Sequence, residues 1–524
     1  MTIKEIYYEV RVEMKSIIKI LYHRISLIVA ALLVQIAVLI AVFSAFSDYF
    51  VTYYWVNIAL SIIVVVLIIN RKSNPSYKIM WIIPVLIFPV FGALFYLLLG
   101  GKRLSKKERK KMSVNTDKIL ETLKPQEENL KDIREQNEDA YVISKYIQDY
   151  GFYPPFKNTI SEYLSLGEKK FEKLKEELKK AKHYIFLEYF IINEGVMWDT
   201  ILDILLEKVK EGVDVRIIYD DFGCLLTLPY KYNEKLERMG IKCCVFNPIM
   251  PVLSTKINNR DHRKLVIIDG HTAFTGGINL ADEYINEIEK YGHWKDAAIM
   301  LKGEAVLNMT VMFLSLWDYL RGIEEDYGKF IDNRMCIKLK KPHAYYQPFA
   351  DSPMDDEPVG ETVYLNSINR AKKYIYITTP YLIISNEMIK ALTSAAKGGI
   401  DVRIITPYLS DKWYVHAVTK QNYEILVESG VRIYEYLPGF IHSKNLIVDD
   451  EYGVIGTINL DYRSFYLHFE CGVWMYKSPS LMEMKKDFLE TLKECKEIRM
   501  EDIENMKWYE TIIGSFLKVF SPLM

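Results

Sequence analysis

The stretch from Asn259 to Asn279 reads NRDHRKLVIIDGHTAFTGGIN. Its core, His262-x-Lys264-x-x-x-x-Asp269, is followed by Gly276, Gly277 and Asn279. The same grammar returns as His442-x-Lys444-x-x-x-x-Asp449, followed by Gly456, Thr457 and Asn459. Side chains alternate along a strand, so a His and a Lys two positions apart share a face. The apolar runs behind each pair, Leu265 to Ile268 and Leu446 to Val448, read as buried strands, and the glycines after them as a close backbone approach. Each copy therefore offers a titratable imidazole and a fixed cation side by side at the entrance of a core strand. One copy alone reads as a satisfied histidine at a strand entrance; two copies in matched surroundings do not.

An internal repeat encloses the two elements. Ala181-Lys-His-Tyr-Ile185 answers to Ala371-Lys-Lys-Tyr-Ile375, Gly212-Val-Asp-Val-Arg-Ile-Ile218 to Gly399-Ile-Asp-Val-Arg-Ile-Ile405, and Gly240 to Gly430. A spacing of about 180 to 190 residues throughout marks a duplication with small loop changes. Within each copy a strand (Tyr184 to Phe190; Tyr374 to Thr379), a helix (Trp198 to Glu211; Asn386 to Ala396) and a strand (Val213 to Tyr219; Asp401 to Thr406) precede another helix, another strand and the motif strand. That alternation predicts α/β halves with mostly parallel, covered sheets.

The paired elements resemble the phospholipase D superfamily, and their surroundings resemble more closely the bacterial cardiolipin synthases. The likeness runs from about Trp55 to the end of the sequence. It includes Tyr219-Asp-Asp-Phe-Gly223, Phe246-Asn-Pro248, Arg260-Asp-His-Arg-Lys264, Gly276-Gly-Ile-Asn-Leu-Ala-Asp-Glu-Tyr284 and Pro438-Gly-Phe-Ile-His-Ser-Lys444. Departures are Cys224 where a serine is usual, Asp351-Ser-Pro353 for a serine-glycine-proline element, and His468 where an asparagine commonly precedes the glutamate. They bear on acceptor and headgroup selectivity.

The resemblance implies two phospholipase D-like halves sharing a central cleft that holds both motifs. Two histidines facing across a cleft suit phosphodiester exchange: one imidazole attacks phosphorus while the other protonates the departing alkoxide. Lys264, Lys444, Asn279 and Asn459 are expected on the non-bridging oxygens. Fixed cations would do what Mg²⁺ does elsewhere, and no cofactor or metal is expected. A carboxylate should orient each imidazole; by resemblance Glu470 serves the second copy and Asp296 the first. Asp269 and Asp449 complete the motif set, with a role in strand-turn geometry favoured over phosphate contact, and Arg463 and Ser464 match a family element near the site.

The implied reaction joins two phosphatidylglycerols into cardiolipin and glycerol through a phosphohistidine. Either histidine could be the nucleophile; His262 is taken as the first choice. The alternatives are a membrane-bound phospholipase D using water or a phosphatidyltransferase using another alcohol, and a scaffold with a dead site is disfavoured by the intact His and Lys pairs. The expected partners are phosphatidylglycerol and anionic membrane lipid. Oligomeric state stays open, a homo-oligomer included.

Ahead of the repeat lie a basic amphipathic lead-in, Met1 to Arg24, and three apolar runs, Ile25 to Phe46, Val51 to Ile69 and Ile79 to Leu99. A bilayer crossing takes about 20 apolar residues, so two or three transmembrane helices are expected over 1–100. The stretch Val51 to Leu99 resembles the two-helix anchor of the same family. Lys102, Arg103, Lys106, Lys107, Arg109, Lys110 and Lys111 crowd the end of the third run; by the positive-inside rule they belong in the cytoplasm. The reading is a multi-pass protein of the bacterial cell membrane with its catalytic part on the cytoplasmic side. A charged linker follows over 101–138, then the halves over 139–340 and 341–500, then an amphipathic tail over 501–524 for which docking on the domain and lying on a membrane weigh equally.

Composition excludes other classes. A formal net charge of −1 gives no global field for nucleic acid. The six cysteines form no CxxC pair and no ligand spacing with histidine, against both a disulfide framework and a zinc site.

Overall fold

The computed structural model describes residues 50–100, 116–249, 258–331, 343–354 and 357–524, with scattered helical residues between 30 and 44. The chain divides into two compact units, one of residues 1–103 with 247–258, the other of residues 104–246 with 259–524. The amphipathic lead-in, most of the run Ile25 to Phe46 and the basic cluster Lys102 to Lys111 lie outside the described residues.

The N-terminal unit holds α1 (Phe50–Ile69), α2 (Pro75–Ile87) and α3 (Pro89–Leu99). The run expected as one helix over Ile79 to Leu99 is two. Pro89 pushes the residue before it out of helical conformation, and Phe88 stands there at φ −128°, ψ 78°. Asn74 caps α2 by accepting from the Ser76 N–H, and Pro75 needs no partner for a missing donor. Ser61 Oγ donates to the Val85 carbonyl and ties α1 to α2. The outward faces are apolar: Trp55, Ile62, Ile63, Leu67, Ile87 and Leu97 are all more than half exposed. Among the described residues no helix is both long and apolar enough to cross a membrane. The nearest is α1, with 20 residues of which the first five side chains lie outside that description; α2 and α3 have 13 and 11.

The second unit carries both copies of the repeat as sheets flanked by helices. The first sheet contains β1 (Thr159–Leu164), β2 (Tyr184–Tyr189), β3 (Asp214–Asp220), β4 (Lys242–Phe246), β5 (Lys264–Ile268), β6 (Thr272–Gly276) and β7 (Ala298–Gly303), in the order β1-β7-β6-β5-β2-β3-β4. The second contains β8 (Tyr345–Asp351), β9 (Tyr374–Thr378), β10 (Asp401–Pro407), β11 (Arg432–Tyr436), β12 (Asn445–Val448), β13 (Tyr452–Gly456), β14 (His468–Tyr476) and β15 (Cys495–Ile498), in the order β8-β14-β13-β12-β9-β10-β11-β15.

The sheets are mixed rather than mostly parallel. Among the described strands of the two main sheets, β2-β3-β4 and β9-β10-β11 run parallel; the pairings around the motif strands are antiparallel. The reason is local. After β5 the chain reverses at once through Asp269 and Gly270, at φ +49° and +66°, and after β12 through Asp449 and Asp450, at +57° and +62°. A short turn can join only antiparallel strands, because parallel ones need a crossover.

Helix α4 (Val306–Arg321) is buried almost all round, as its continuous apolar sequence requires. It packs against both sheets, and its Asn308 donates to the Pro154 and Pro348 carbonyls. The helix Glu138–Gly151, expected to begin the first half, docks on the second: Ser144 Oγ donates to Gln347, whose amide returns a bond to the Ser144 carbonyl. Of the expected linker, Leu123, Leu130 and Ile133 are buried.

Candidate active site

Each motif histidine starts from its strand's entrance, and its backbone is held by the opposite half. Arg260–Asp261 pairs in parallel with His468–Phe469 at the start of β14, and the His262 N–H donates to the Phe469 carbonyl at 2.9 Å. In the mirror arrangement Gly439–Ile441 pairs with His293–Lys295, and the His442 N–H donates to the Lys295 carbonyl at 2.7 Å. The next residue along each of those strands is a carboxylate. His262 Nδ1 therefore meets Glu470 at 2.9 and 3.1 Å, and His442 Nδ1 meets Asp296 Oδ2 at 2.7 Å. The expected pairing within each copy is corrected: the carboxylates are exchanged between halves. A bond at Nδ1 fixes the tautomer and leaves the Nε2 lone pair free for chemistry.

All four motif cations and imidazoles are buried, Lys264 and Lys444 at 0 and 1 % exposure. Each lysine donates to the carbonyl of its own histidine, which folds the ammonium back beside the imidazole. Burial drives His262 well below the usual imidazole range, and Lys264, Lys444 and His442 add repulsion. Burial and Lys444 bring His442 to about 4 against the pull of Asp296. Burial also lowers Lys264 to about 8 and Lys444 to about 7. For Asp296 burial acts upward, but His442 and Lys444 prevail and hold it below the ordinary carboxylate range. Near neutral pH both imidazoles are therefore uncharged and stand beside two lysines, surroundings that favour an anionic group.

The family described as "Cardiolipin synthase, PLD-like domain" matches residues 174–317 and 364–492, and "Phospholipase_D-nuclease N-terminal" matches residues 59–101. Cardiolipin synthase 2 of Bacillus anthracis is 34 % identical, over 87 % of this chain and 88 % of its own. The chain belongs to the cardiolipin synthase family with PLD-like domains. Cardiolipin synthase of Geobacillus kaustophilus is 32 % identical over 95 % of this chain and 99 % of its own. Phosphatidylserine synthase of Haemophilus influenzae shares the fold: its structure aligns over 73 % of this chain and 100 % of its own length, with a TM-score of 0.56 at 16 % identity.

The remaining candidates in this cardiolipin synthase family member divide. Asn279 is buried beside the pair: its Oδ1 accepts from the Ile191 N–H and its amide donates to the Tyr284 hydroxyl at 2.6 Å, and the Tyr284 ring lies 5.7 Å from that of His442. Asn459 is buried with its Oδ1 unpartnered. The motif aspartates, expected within the motif set with a strand-turn role favoured over phosphate contact, make turn-holding bonds. Each stands at the far end of its strand, five residues or about 16 Å beyond the lysine. There Asp269 accepts from the N–H groups of Lys182, His183 and Tyr184, and Asp449 from those of Lys372, Lys373 and Tyr374.

Two hydroxyls, one of them from the expected Ser464, wrap one carboxylate. Thr457 Oγ1 and Ser464 Oγ both donate to Glu470, whereas a Cβ on Gly277, the counterpart of Thr457, would collide with Asp296. The signal was present in the sequence as the single difference between GGIN and GTIN. Among the described residues, His262, His468 and Glu470 bring potential metal-ligand atoms within 4.8 Å of one another. Their donors do not suit a cation. His468 Nε2 accepts from Arg463 Nε at 3.1 Å, which puts the imidazole proton on Nδ1, the atom that faces Glu470 at 3.8 Å. His262 Nδ1 is already committed to the same carboxylate.

Proposed function

We propose that this chain is a phosphatidyltransferase that joins two phosphatidylglycerols into cardiolipin, releasing glycerol, with His262 and His442 as its working pair. The observation that carries the reading is the exchanged geometry: two buried imidazoles, each fixed at Nδ1 by a carboxylate from the other half and flanked by a lysine.

His262 Nε2 attacks phosphorus, the bond to the glycerol oxygen breaks, and His442 gives that oxygen its proton. The incoming phosphodiester adds negative charge beside His442, opposing Lys264 and Lys444 and raising the proton affinity of the imidazole. His442 Nε2 then takes the proton of a hydroxyl on a second phosphatidylglycerol, that oxygen attacks phosphorus, and the P–N bond breaks. Lys264 and Lys444 sit beside the imidazoles to stabilise charge on the equatorial oxygens, a role in which Asn279 and Asn459 are proposed to assist. The difference between the carboxylates supports the order. Glu470 shares its charge with the hydroxyls of Thr457 and Ser464, while Asp296 Oδ2 serves His442 at 2.7 Å. A carboxylate less occupied by other donors better holds an imidazolium, so His442 is the acid and base and His262 the nucleophile.

The N-terminal unit is read as the membrane anchor, supported by the exposed apolar faces of its three helices. Two or three crossings fit, and the basic cluster Lys102 to Lys111 favours a cytoplasmic catalytic part in the bacterial cell membrane.

The test is lipid analysis after the purified full chain is added to phosphatidylglycerol vesicles in chelator. Cardiolipin and glycerol in equal amounts, absent with His262→Ala and with His442→Ala, are expected. Phosphatidic acid would mean water is the acceptor, and no lipid product would refute the reading.

A further inference from the structure

The loops that follow the equivalent strands β3 and β10 both end in exposed apolar side chains. Beyond Asp220, Phe222, Leu226 and Tyr230 are 53, 78 and 70 % exposed. Beyond Pro407, Trp413 and Tyr414 are 69 and 38 % exposed. Loops at the carboxyl ends of parallel strands ring the crevice in which α/β proteins bind ligands, and the first of these is rooted beside His262. Asp220 Oδ2 accepts from the N–H of Asp261, the residue before His262. On the other side Lys412, the residue before Trp413, donates to the Tyr381 hydroxyl, and its charge reaches His262.

The C-terminal tail widens the second rim. Helix α5 (Trp413–Lys420) packs against α6 (Trp508–Lys518). Gly514 is the buried residue of α6 and lies against Gln421, while Trp508, Ile512 and Phe516 point outward at 75, 59 and 66 % exposure. A helix stabilised by core packing does the reverse, burying its large apolar residues. Each aromatic side chain carries about 150 to 250 Å², so Trp413, Trp508 and Phe516 on the packed helix pair together leave on the order of 400 Å² of apolar side chain bare. Beside the aromatics stand half-exposed lysines, Lys231 next to Tyr230 and Lys412 next to Trp413. Aromatic rings with cations beside them suit the headgroup level of a bilayer.

We infer that these two rims are the surface on which the catalytic unit rests on an anionic bilayer, so that headgroups reach the histidines while acyl chains stay in lipid. A bilayer fits better than a protein partner because the apolar surface is duplicated on both sides of a cleft that takes two lipids. The inference rests on the lipid-substrate reading above and adds a second membrane contact, distinct from the N-terminal helices.

The test uses the full chain reconstituted in vesicles of phosphatidylglycerol and phosphatidylcholine. Leu226→Cys, Trp413→Cys or, as control, Met482→Cys on an exposed site elsewhere is labelled with a fluorophore, and quenching by nitroxide lipids is read after subtraction of labelling in the parent. Quenching at 226 and 413 but not at 482 is expected. Quenching at neither rim, at one rim alone, or equally at 482 overturns the inference. A second readout is kcat/KM for the triple variant Phe222→Ser, Leu226→Ser, Trp413→Ser. It should lose at least about tenfold more on vesicles than on dispersed short-chain lipid, and equal losses contradict the rims. Quenching needs no turnover, so a protein that quenches as expected yet forms no cardiolipin would refute the function and leave the rims standing.

Discussion

His262 Nδ1 lies 2.9 Å from Glu470 Oε1 although 208 residues separate the two in sequence. The opposite pair, His442 and Asp296, spans 146 residues at 2.7 Å. Neither half therefore holds a finished His–carboxylate pair, and folding the repeat into one body is what completes both.

Glu470→Gln should leave the fold intact and reduce kcat by about 10³- to 10⁴-fold, since an amide can present its NH₂ to Nδ1 and favour the wrong tautomer, as in other His–carboxylate pairs. Steady-state turnover on phosphatidylglycerol, with circular dichroism as the control for folding, measures it. A loss below tenfold would mean Glu470 does not orient His262.

Gly277→Ala tests the same idea at the other carboxylate. The added Cβ would meet Asp296, displacing the group that holds His442. A displacement of about 1 Å costs on the order of 100-fold in rate. Because Thr457 already fills the equivalent place beside Glu470, Thr457→Ser should cost far less than Gly277→Ala, and kcat values for the two variants decide it.

Asp269→Ala should act on stability instead of chemistry. Three backbone N–H groups lose their acceptor, and alanine must adopt the φ of +49° that aspartate tolerates. A loss of about 2 to 4 kcal/mol is expected, read by thermal unfolding. The folded fraction should retain kcat, and a specific loss of kcat would return Asp269 to the catalytic set.

The two lysines set an alkaline limit. They must be charged to hold phosphate, and with Lys444 at about 7 and Lys264 at about 8 the charged forms dominate below those values and are lost above them. Because His442 must also carry a proton and is held at about 4 in the free enzyme, kcat/KM should already decline with rising pH below 7 and should steepen beyond tenfold per unit as pH rises through 7 to 8. The corresponding limb of kcat should lie at higher pH, because bound phosphate favours the ammonium. A flat profile to pH 9 would contradict it.

Much of this was legible in the residues. The motif spacing put each imidazole and lysine on one face, and the repeat foretold two sheets meeting at one site. Carboxylate partnership was not legible, because it depends on Arg260–Asp261 finding His468–Phe469 across the duplication, and sequence distance says nothing of such pairing. Strand direction was readable and missed: Asp269-Gly270 after β5 is a turn signal that excludes a crossover. So was the break before Pro89, which parts one apolar run into two helices. The helix Glu138–Gly151 follows the linker in sequence but docks on the later half through Gln347, a choice made by tertiary packing alone.

The most direct measurement is a rapid quench with a phosphatidyl ester of 4-nitrophenol, whose leaving group needs no acid, followed by mapping of the phosphorylated peptide. The phosphoryl group should be found on His262, should accumulate in His442→Ala with a stoichiometric burst of nitrophenol, and should be absent from His262→Ala. A label on His442, or a burst that survives in His262→Ala, would contradict the assignment.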